Sequence, residues 1–142
     1  MAATAGLRAA AILLVFVGCS GCAKGSETES GIFFPTWSAD GPVPAGIVQG
    51  TLAERDGCVF LVRDGKETLV VWDEGHAFAD GSLLGPSGEP IASIGETLHG
   101  GGGYYGRAHA EDMSGASIPD RCVPDHVEGF ALIYGVEAGP FE

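Results

Sequence analysis

The chain has 142 residues, with 24 Gly and 8 Pro, and its 19 acidic and 7 basic side chains give a formal net charge of −12 at pH 7. This length holds one domain, and the Gly and Pro content stays below the range in which low-complexity disorder is expected. Nucleic acid is excluded as a partner, because a phosphate backbone requires clustered Lys and Arg and the few cations here are scattered.

The N-terminal stretch has the pattern of an export signal. A single cation, Arg8, precedes an unbroken apolar run at 9–17, and small residues and Cys follow it. From Ala9 to Ala23 there are 15 uncharged residues, fewer than the roughly 20 that a membrane-spanning helix needs. A buried core helix would need a polar face, which this run lacks. The pattern therefore predicts export without a membrane-spanning segment.

The end of this run, residues 16–19 (FVGC), resembles the lipobox of bacterial lipoproteins. The resemblance implies a signal peptide over 1–18, with lipid attached to the thiol of Cys19 as the new N-terminus. Because more than one acyl chain holds a protein on a bilayer, it also implies an extracytoplasmic protein anchored to the cell membrane by lipid alone. Two alternatives stay open: processing at Cys22, and ordinary secretion after cleavage near Ala23.

Residues 19–44 are predicted to form the lipid-anchor tether and a linker rich in Pro and Gly. Residues 23–30 are small, polar and charged, which is typical of a flexible tether. The apolar patch at 31–37 is expected to pack on the domain as a first strand, or else to stay exposed as a contact for a partner. Residues 40–44 contain Gly and two Pro, which end regular structure.

Residues 45–138 are predicted to form a mainly β domain. The runs 47–55, 58–63 and 67–72 are separated by Asp-Gly turns, which favour hairpins. A second hairpin is predicted around a Pro-Ser-Gly turn, and a closing strand at 129–136.

Helical periodicity is nearly absent from this domain. Five or six short strands at about ten-residue spacing indicate a small antiparallel barrel, OB-like, with a β-sandwich as the alternative. Gly50 and Gly135 are expected at bulges or sharp bends. The glycines and apolar positions over 45–137, including the run 100–103, are also similar to small secreted and lipid-anchored bacterial proteins. That resemblance implies the fold and the extracytoplasmic location, and it indicates no particular activity.

The four Cys divide into two kinds. Cys19 is assigned to lipid, so Cys58 and Cys122 are the pair within the domain, in a compartment that permits disulfides. Their spacing predicts a bond worth about 4 kcal/mol in the chain-entropy model. A reactive or metal-binding pair is the alternative, although no Cys-x-x-Cys spacing connects them. Cys22 is left as an odd thiol in the tether.

The stretch 100–106 is the most unusual part of the domain, since it contains Gly100, Gly101, Gly102, Gly103, Tyr104, Tyr105 and Gly106. Neither the Lys nor the helix start of a phosphate-binding loop follows it. It is therefore expected to be a mobile or tightly turning loop. The alternative is a ligand-contacting loop in which Tyr104 and Tyr105 supply stacking faces.

The four His, at 76, 99, 109 and 126, are too far apart for a local chelate motif, and they are expected on the solvated surface. A non-local zinc or copper site with His99 or His109 is the alternative. No nucleophile elbow is present, so the chain is predicted not to be an enzyme, with no catalytic residue and no cofactor. The leading hypothesis is a lipid-anchored extracytoplasmic β-domain with a non-catalytic binding or envelope-structural role. Its alternative is a secreted metal- or small-ligand-binding protein that uses the stretch 100–106.

Overall fold

The computed structural model describes residues 31–126 and 129–142, and within these ranges it has nine β-strands and one α-helix. In chain order these are β1 (Thr36–Trp37), β2 (Gly46–Arg55), β3 (Cys58–Arg63), β4 (Lys66–Asp73), β5 (Ala77–Ala79), β6 (Ser82–Leu84), β7 (Pro90–Ser93), β8 (Thr97–Tyr105), α1 (Arg107–Ser114) and β9 (Phe130–Ala138). A 3₁₀ turn (Asp120–Cys122) lies between α1 and β9.

Five of these strands build the barrel. β2 pairs antiparallel with β3 and β8, β3 pairs with β4, and β8 pairs with β9. β4 and β9 pair in parallel over only three positions, so the sheet forms a ring that is not completely closed. The strands β5, β6 and β7 form a separate small sheet. The predicted mainly β fold with a small OB-like barrel is confirmed, although the barrel is not fully closed and β4 pairs with β9 in parallel and not antiparallel.

The Asp-Gly turns explain why β2, β3 and β4 are joined as hairpins. Asp56 and Gly57 have φ of 54° and 75°, and Asp64 and Gly65 have φ of 52° and 74°. Positive φ at both central residues is the conformation that tight two-residue hairpins require, and Asp-Gly adopts it at low cost. The predicted hairpin of β6 and β7 and the closing strand β9 are also confirmed.

Side chains on the two faces of the barrel wall form two cores. Along β4, Val70 and Trp72 point into the barrel, while Leu69 and Val71 point outward, as alternation along a strand requires. The inner core fills the barrel and contacts the small sheet through Phe78, Leu83 and Ala92. The outer core packs the barrel wall against α1, the segment around the 3₁₀ turn and the N-terminal part of the domain.

The apolar patch at 31–37 belongs to both cores. Phe33 lies in the outer core, and Phe34 lies in the inner core with its ring stacked on Trp72 at 5.5 Å between centroids. The indole of Trp37 donates a hydrogen bond to the Ile133 carbonyl at 3.0 Å. Packing of this patch on the domain is therefore confirmed, and its exposure as a partner contact is wrong. The folded domain begins before residue 45, inside the segment 19–44 that the sequence assigns to tether and linker.

The prediction of a loop at 100–106 is wrong, since Gly100 to Gly103 lie in β8 between β2 and β9. Close neighbours require glycine there. A Cβ on Gly100 would lie 2.7 Å from Cγ1 of Ile133, and a Cβ on Gly101 would lie 2.5 Å from the Tyr134 ring. A Cβ on Gly102 would overlap the Leu132 carbonyl oxygen. The glycines therefore serve strand packing inside a narrow barrel.

The two strand glycines singled out from the sequence have different surroundings. Gly135 has φ of 59° and lies where the register of β8 and β9 shifts, so the predicted bulge is confirmed there. Gly50 pairs in register with Leu98, and a Cβ on it would lie 3.0 Å from that of Leu61. Close approach of strands, with no register shift, is the reason for glycine at that position.

The helix α1 was not expected from the sequence, because its periodicity is weak. Of its eight residues only Ala110 is buried, so no apolar stripe marks it in the sequence. It ends at Gly115, whose φ of 67° is typical of helix ends. Arg107 pairs with Glu111 within the helix and with Asp120 in the segment that follows it.

Candidate binding site at the barrel mouth

The barrel has two distinct ends. β3 runs from Cys58 to Arg63, and β4 returns antiparallel from Lys66 to Asp73. The N-terminal part of the domain covers one end, because Phe33 bridges to Cys58 and β1 pairs with the last residues of β4. The turn from Arg63 to Lys66 lies at the opposite end, which we call the barrel mouth.

Two adjoining cavities open at the mouth, each of about 280 Å³. The first cavity is lined by Arg63, Asp64, Lys66, Thr68, Tyr104 and His126. The second cavity is lined by Gly65, Lys66, Glu67, Asp125 and His126. They share Lys66 and His126, and the mouths of β-barrels are a common place for small-ligand sites.

Strand alternation explains why polar side chains line the first cavity. Thr68 occupies the same face of β4 as Val70 and Trp72, which belong to the inner core. On β8, Tyr104 shares a face with Leu98, another residue of the inner core. Toward the mouth, the inward row of β4 therefore changes from apolar residues to Thr68 and Lys66, and that of β8 ends at Tyr104, which is 40% exposed.

Thr68 is a buried polar residue whose hydroxyl is unused. The residue is 9% exposed, and no group in the described ranges forms a hydrogen bond with its side chain. Among the described residues, Nε1 of Trp72 is the buried side-chain nitrogen or oxygen without a hydrogen-bond partner, so the Thr68 hydroxyl oxygen itself still reaches solvent through the cavity. A hydroxyl that lines a cavity without a protein partner is therefore available to a ligand.

The charges at the mouth are unevenly matched. Lys66 is exposed and forms no ion pair with any residue that the structure describes. Arg63 approaches the Asp64 carboxylate only to 3.9 Å, and both side chains are mostly exposed. Such a pair contributes little binding energy of its own, so both cations are accessible to a ligand.

Glu67, at the edge of the second cavity, is already engaged. Its carboxylate accepts hydrogen bonds from the Arg55 guanidinium at 3.0 and 3.1 Å. These bonds to Glu67 raise the pKa of Arg55 above its ordinary value. The Glu67 carboxylate therefore pairs with Arg55, which also pairs with Asp56 at 3.0 Å, and it forms no ion pair with Lys66.

His126 is oriented by a backbone carbonyl. Its Nε2 lies 2.7 Å from the Glu67 oxygen, and because a carbonyl oxygen only accepts hydrogen bonds, Nε2 must carry the proton. In the neutral ring, Nδ1 then keeps its lone pair, and no described residue bonds to it. His126 therefore presents one fixed donor to the protein and one free acceptor.

The residues predicted from the sequence lie away from this mouth, apart from Tyr104. Cys58 and Cys122 form the predicted disulfide, with 5.5 Å between their Cα atoms, and both are fully buried in the outer core. The alternative of a reactive or metal-binding pair is wrong. Tyr105 packs against the outer core and stacks on His109 at 4.2 Å. Cys19, together with the signal peptide 1–18 and Cys22, lies outside the described residues.

The part of the chain that the structure describes contains no set of metal ligands that would support the metal-binding alternative. Nδ1 of His99 lies 2.8 Å from the Gly139 oxygen, and its Nε2 lies 3.3 Å from the Glu137 carboxylate. His109 stacks on Tyr105. Across residues 31–126 and 129–142, no three His, Cys, Asp or Glu side chains come together to hold a metal ion.

The sequence contains only a weak signal for the mouth. Thr68 immediately precedes the apolar part of the run 67–72, and Arg63 and Lys66 flank an Asp-Gly turn. Each feature alone is ordinary for a hairpin. Their joint meaning depends on the distant Tyr104 and His126, which only the folded barrel brings beside them.

Compared with known proteins, the chain matches no family model, no curated protein and no solved structure. Among the residues described, no helix has both the length and the apolar character that crossing a membrane requires.

Proposed function

We propose that this protein is a lipid-anchored extracytoplasmic β-domain with a non-catalytic binding role, and that the barrel mouth is its binding site. The observation that carries the binding role is the Thr68 hydroxyl, which lines the first cavity and forms no hydrogen bond with a described residue. Two further features support it: Lys66 has no ion pair in the described ranges, and the lining side chains come from several elements of a rigid barrel. An envelope-structural role has no comparable observation in its favour.

The extracytoplasmic location is supported by two independent features. The buried Cys58–Cys122 disulfide is typical of proteins that fold in an oxidising compartment. The segment 16–19 resembles a lipobox, which would attach lipid to Cys19. A chain processed there loses Arg8 and no acidic residue, so the anchored protein would be more acidic than the full sequence.

Cys19→Ser is expected to move the protein from the membrane fraction to the soluble extracytoplasmic fraction, because it removes the thiol that would carry the lipid. Cys22→Ser is the matched control and should leave the protein on the membrane, with an acylated Cys19 as the N-terminus in mass spectrometry. If Cys22→Ser is released instead, processing occurs at Cys22. An unmodified N-terminus near Ala23 in the wild type would overturn the anchor.

Binding at the mouth can be tested without knowing the ligand. We expect that small neutral, anionic and cationic fragments, added to ¹⁵N-labelled protein, perturb amide signals of β3, β4 and β8 around the first cavity. The small sheet of β5, β6 and β7 is the internal control, since it lies outside both cavities. Perturbations confined to that sheet, or none from any fragment class, would contradict the proposed binding site.

A further inference from the structure

We propose that the barrel mouth binds the phosphate group of a small soluble ligand. This inference rests on the proposed function and names the chemistry of its ligand. The site comprises the ammonium of Lys66, the guanidinium of Arg63, and the hydroxyls of Thr68 and Tyr104, all of which line the first cavity.

The balance of charge places an anion in the first cavity. Arg63 and Lys66 line it together with a single carboxylate, that of Asp64, whose side chain is 90% exposed. The second cavity carries Glu67 and Asp125 and is less suited to an anion. Because the whole chain carries −12, long-range attraction does not assist an anion. Binding must rest on direct contacts within the first cavity, where the cations and hydroxyls are.

The donors in this cavity fit phosphate better than carboxylate. A phosphate ester offers three strong acceptor oxygens, and β3, β4 and β8 each present at least one donor side chain to the cavity. Hydrogen bonds from charged donors to such oxygens are about twice as strong as neutral ones. Thr68 gives the cavity a partly desolvated donor, which strengthens its bond to an anion relative to one formed in water.

The position of the mouth selects a soluble ligand over a lipid headgroup. The described chain begins at Gly31, next to Gly57 at the turn between β2 and β3, which lies at the end of the barrel away from the mouth. The proposed tether would therefore enter the domain at the covered end and not at the mouth. We accordingly propose a soluble phosphate, and a lipid headgroup is the outcome that the vesicle titration tests.

The test uses the two lysines of the chain as a matched pair. ¹⁵N-labelled protein carrying Cys19→Ser, which removes the proposed lipid and so keeps vesicle binding independent of the anchor, is titrated with glycerol 3-phosphate, with acetate, and with phosphatidylglycerol vesicles. We expect saturable shifts at the mouth with glycerol 3-phosphate. Lys66→Gln should weaken the affinity about tenfold, as loss of a charged hydrogen bond predicts. Lys24→Gln makes the same change of charge in the tether and should leave the affinity unchanged. Thr68→Val, which preserves shape, should weaken binding severalfold with an unchanged thermal midpoint.

Each outcome bears on a different part of the proposal. Equal weakening by Lys66→Gln and Lys24→Gln would show nonspecific ion association and overturn the phosphate site. Acetate binding as tightly as glycerol 3-phosphate would overturn the preference for phosphate, while binding at the mouth would stand. Tighter binding to vesicles would overturn the soluble ligand. If no anion shifts the mouth signals but a neutral fragment does, the phosphate site fails and the proposed function survives.

Discussion

Replacing both Cys58 and Cys122 with Ala is expected to lower the free energy of unfolding by about 4 kcal/mol. The disulfide closes a loop with a sequence separation of 64 residues, so it strongly restricts the unfolded chain. The bond also ties the segment around the 3₁₀ turn to β3 within the outer core. For a domain of this size such a loss is a large fraction of total stability. Urea unfolding of the oxidised wild type and the double variant measures it.

The control for this measurement is Cys22→Ala, which changes a cysteine outside the disulfide and should leave the urea midpoint unchanged. A single variant, Cys58→Ala, should expose one titratable thiol at Cys122 on unfolding. Two features would contradict the prediction: a double variant with the wild-type midpoint, or free Cys58 and Cys122 thiols in the unfolded, unreduced wild type.

Gly102→Ala is expected to destabilise the barrel by about 3 kcal/mol, at the upper end of typical overpacking effects. The added Cβ would overlap the Leu132 carbonyl oxygen and lie 3.0 Å from Cγ2 of Val48. Relief requires that β8 separate from β9, whose pairing is the most extensive contact between two strands of the barrel. Chemical denaturation gives the magnitude, and hydrogen exchange should show amides of β8 and β9 opening more often.

Gly88→Ala is the matched control. Gly88 has φ of 81° and no atom within 4 Å of its added Cβ, so the variant carries only the conformational cost of the left-handed region, about 1 kcal/mol. An equal loss of stability in the two variants would mean that backbone conformation alone explains the need for glycine at position 102. Steric overlap in the barrel predicts the larger loss at Gly102.

Local features of this fold could be predicted from the sequence, because their causes lie within a few residues. The Asp-Gly turns fix two hairpins through their own φ preference. The number of cysteines and the predicted export led to the Cys58–Cys122 disulfide. In contrast, the glycines of β8 are explained by Ile133, Leu132 and Tyr134, which approach only after the barrel has formed. A run of four glycines, considered alone, favours a loop. In the folded protein the glycines instead allow β8 to pack closely against β9.

The binding site at the mouth could not be predicted from the sequence either, because its residues also come together only in the folded barrel. Thr68 follows the alternation of β4 and, taken alone, resembles any polar residue in a strand. Its significance comes from burial beside Lys66 and Tyr104 without a hydrogen-bond partner in the described residues. The helix α1 was missed because burial of Ala110 alone leaves no periodic pattern.

The N-terminal part of the domain also determines how mechanical force would enter the protein. A membrane-anchored domain is pulled through its tether, and the described chain joins the barrel at Phe33, which bridges to Cys58. Cys58 is covalently linked to Cys122. A pulling force on the tether would therefore act next to a disulfide bond, which stays intact when the domain unfolds. Phe33 and Phe34 pack in separate cores. Both side chains would have to leave their cores before the N-terminal segment could detach from the barrel. The proposed anchor would thus pull on the end of the barrel that carries the disulfide, opposite the mouth.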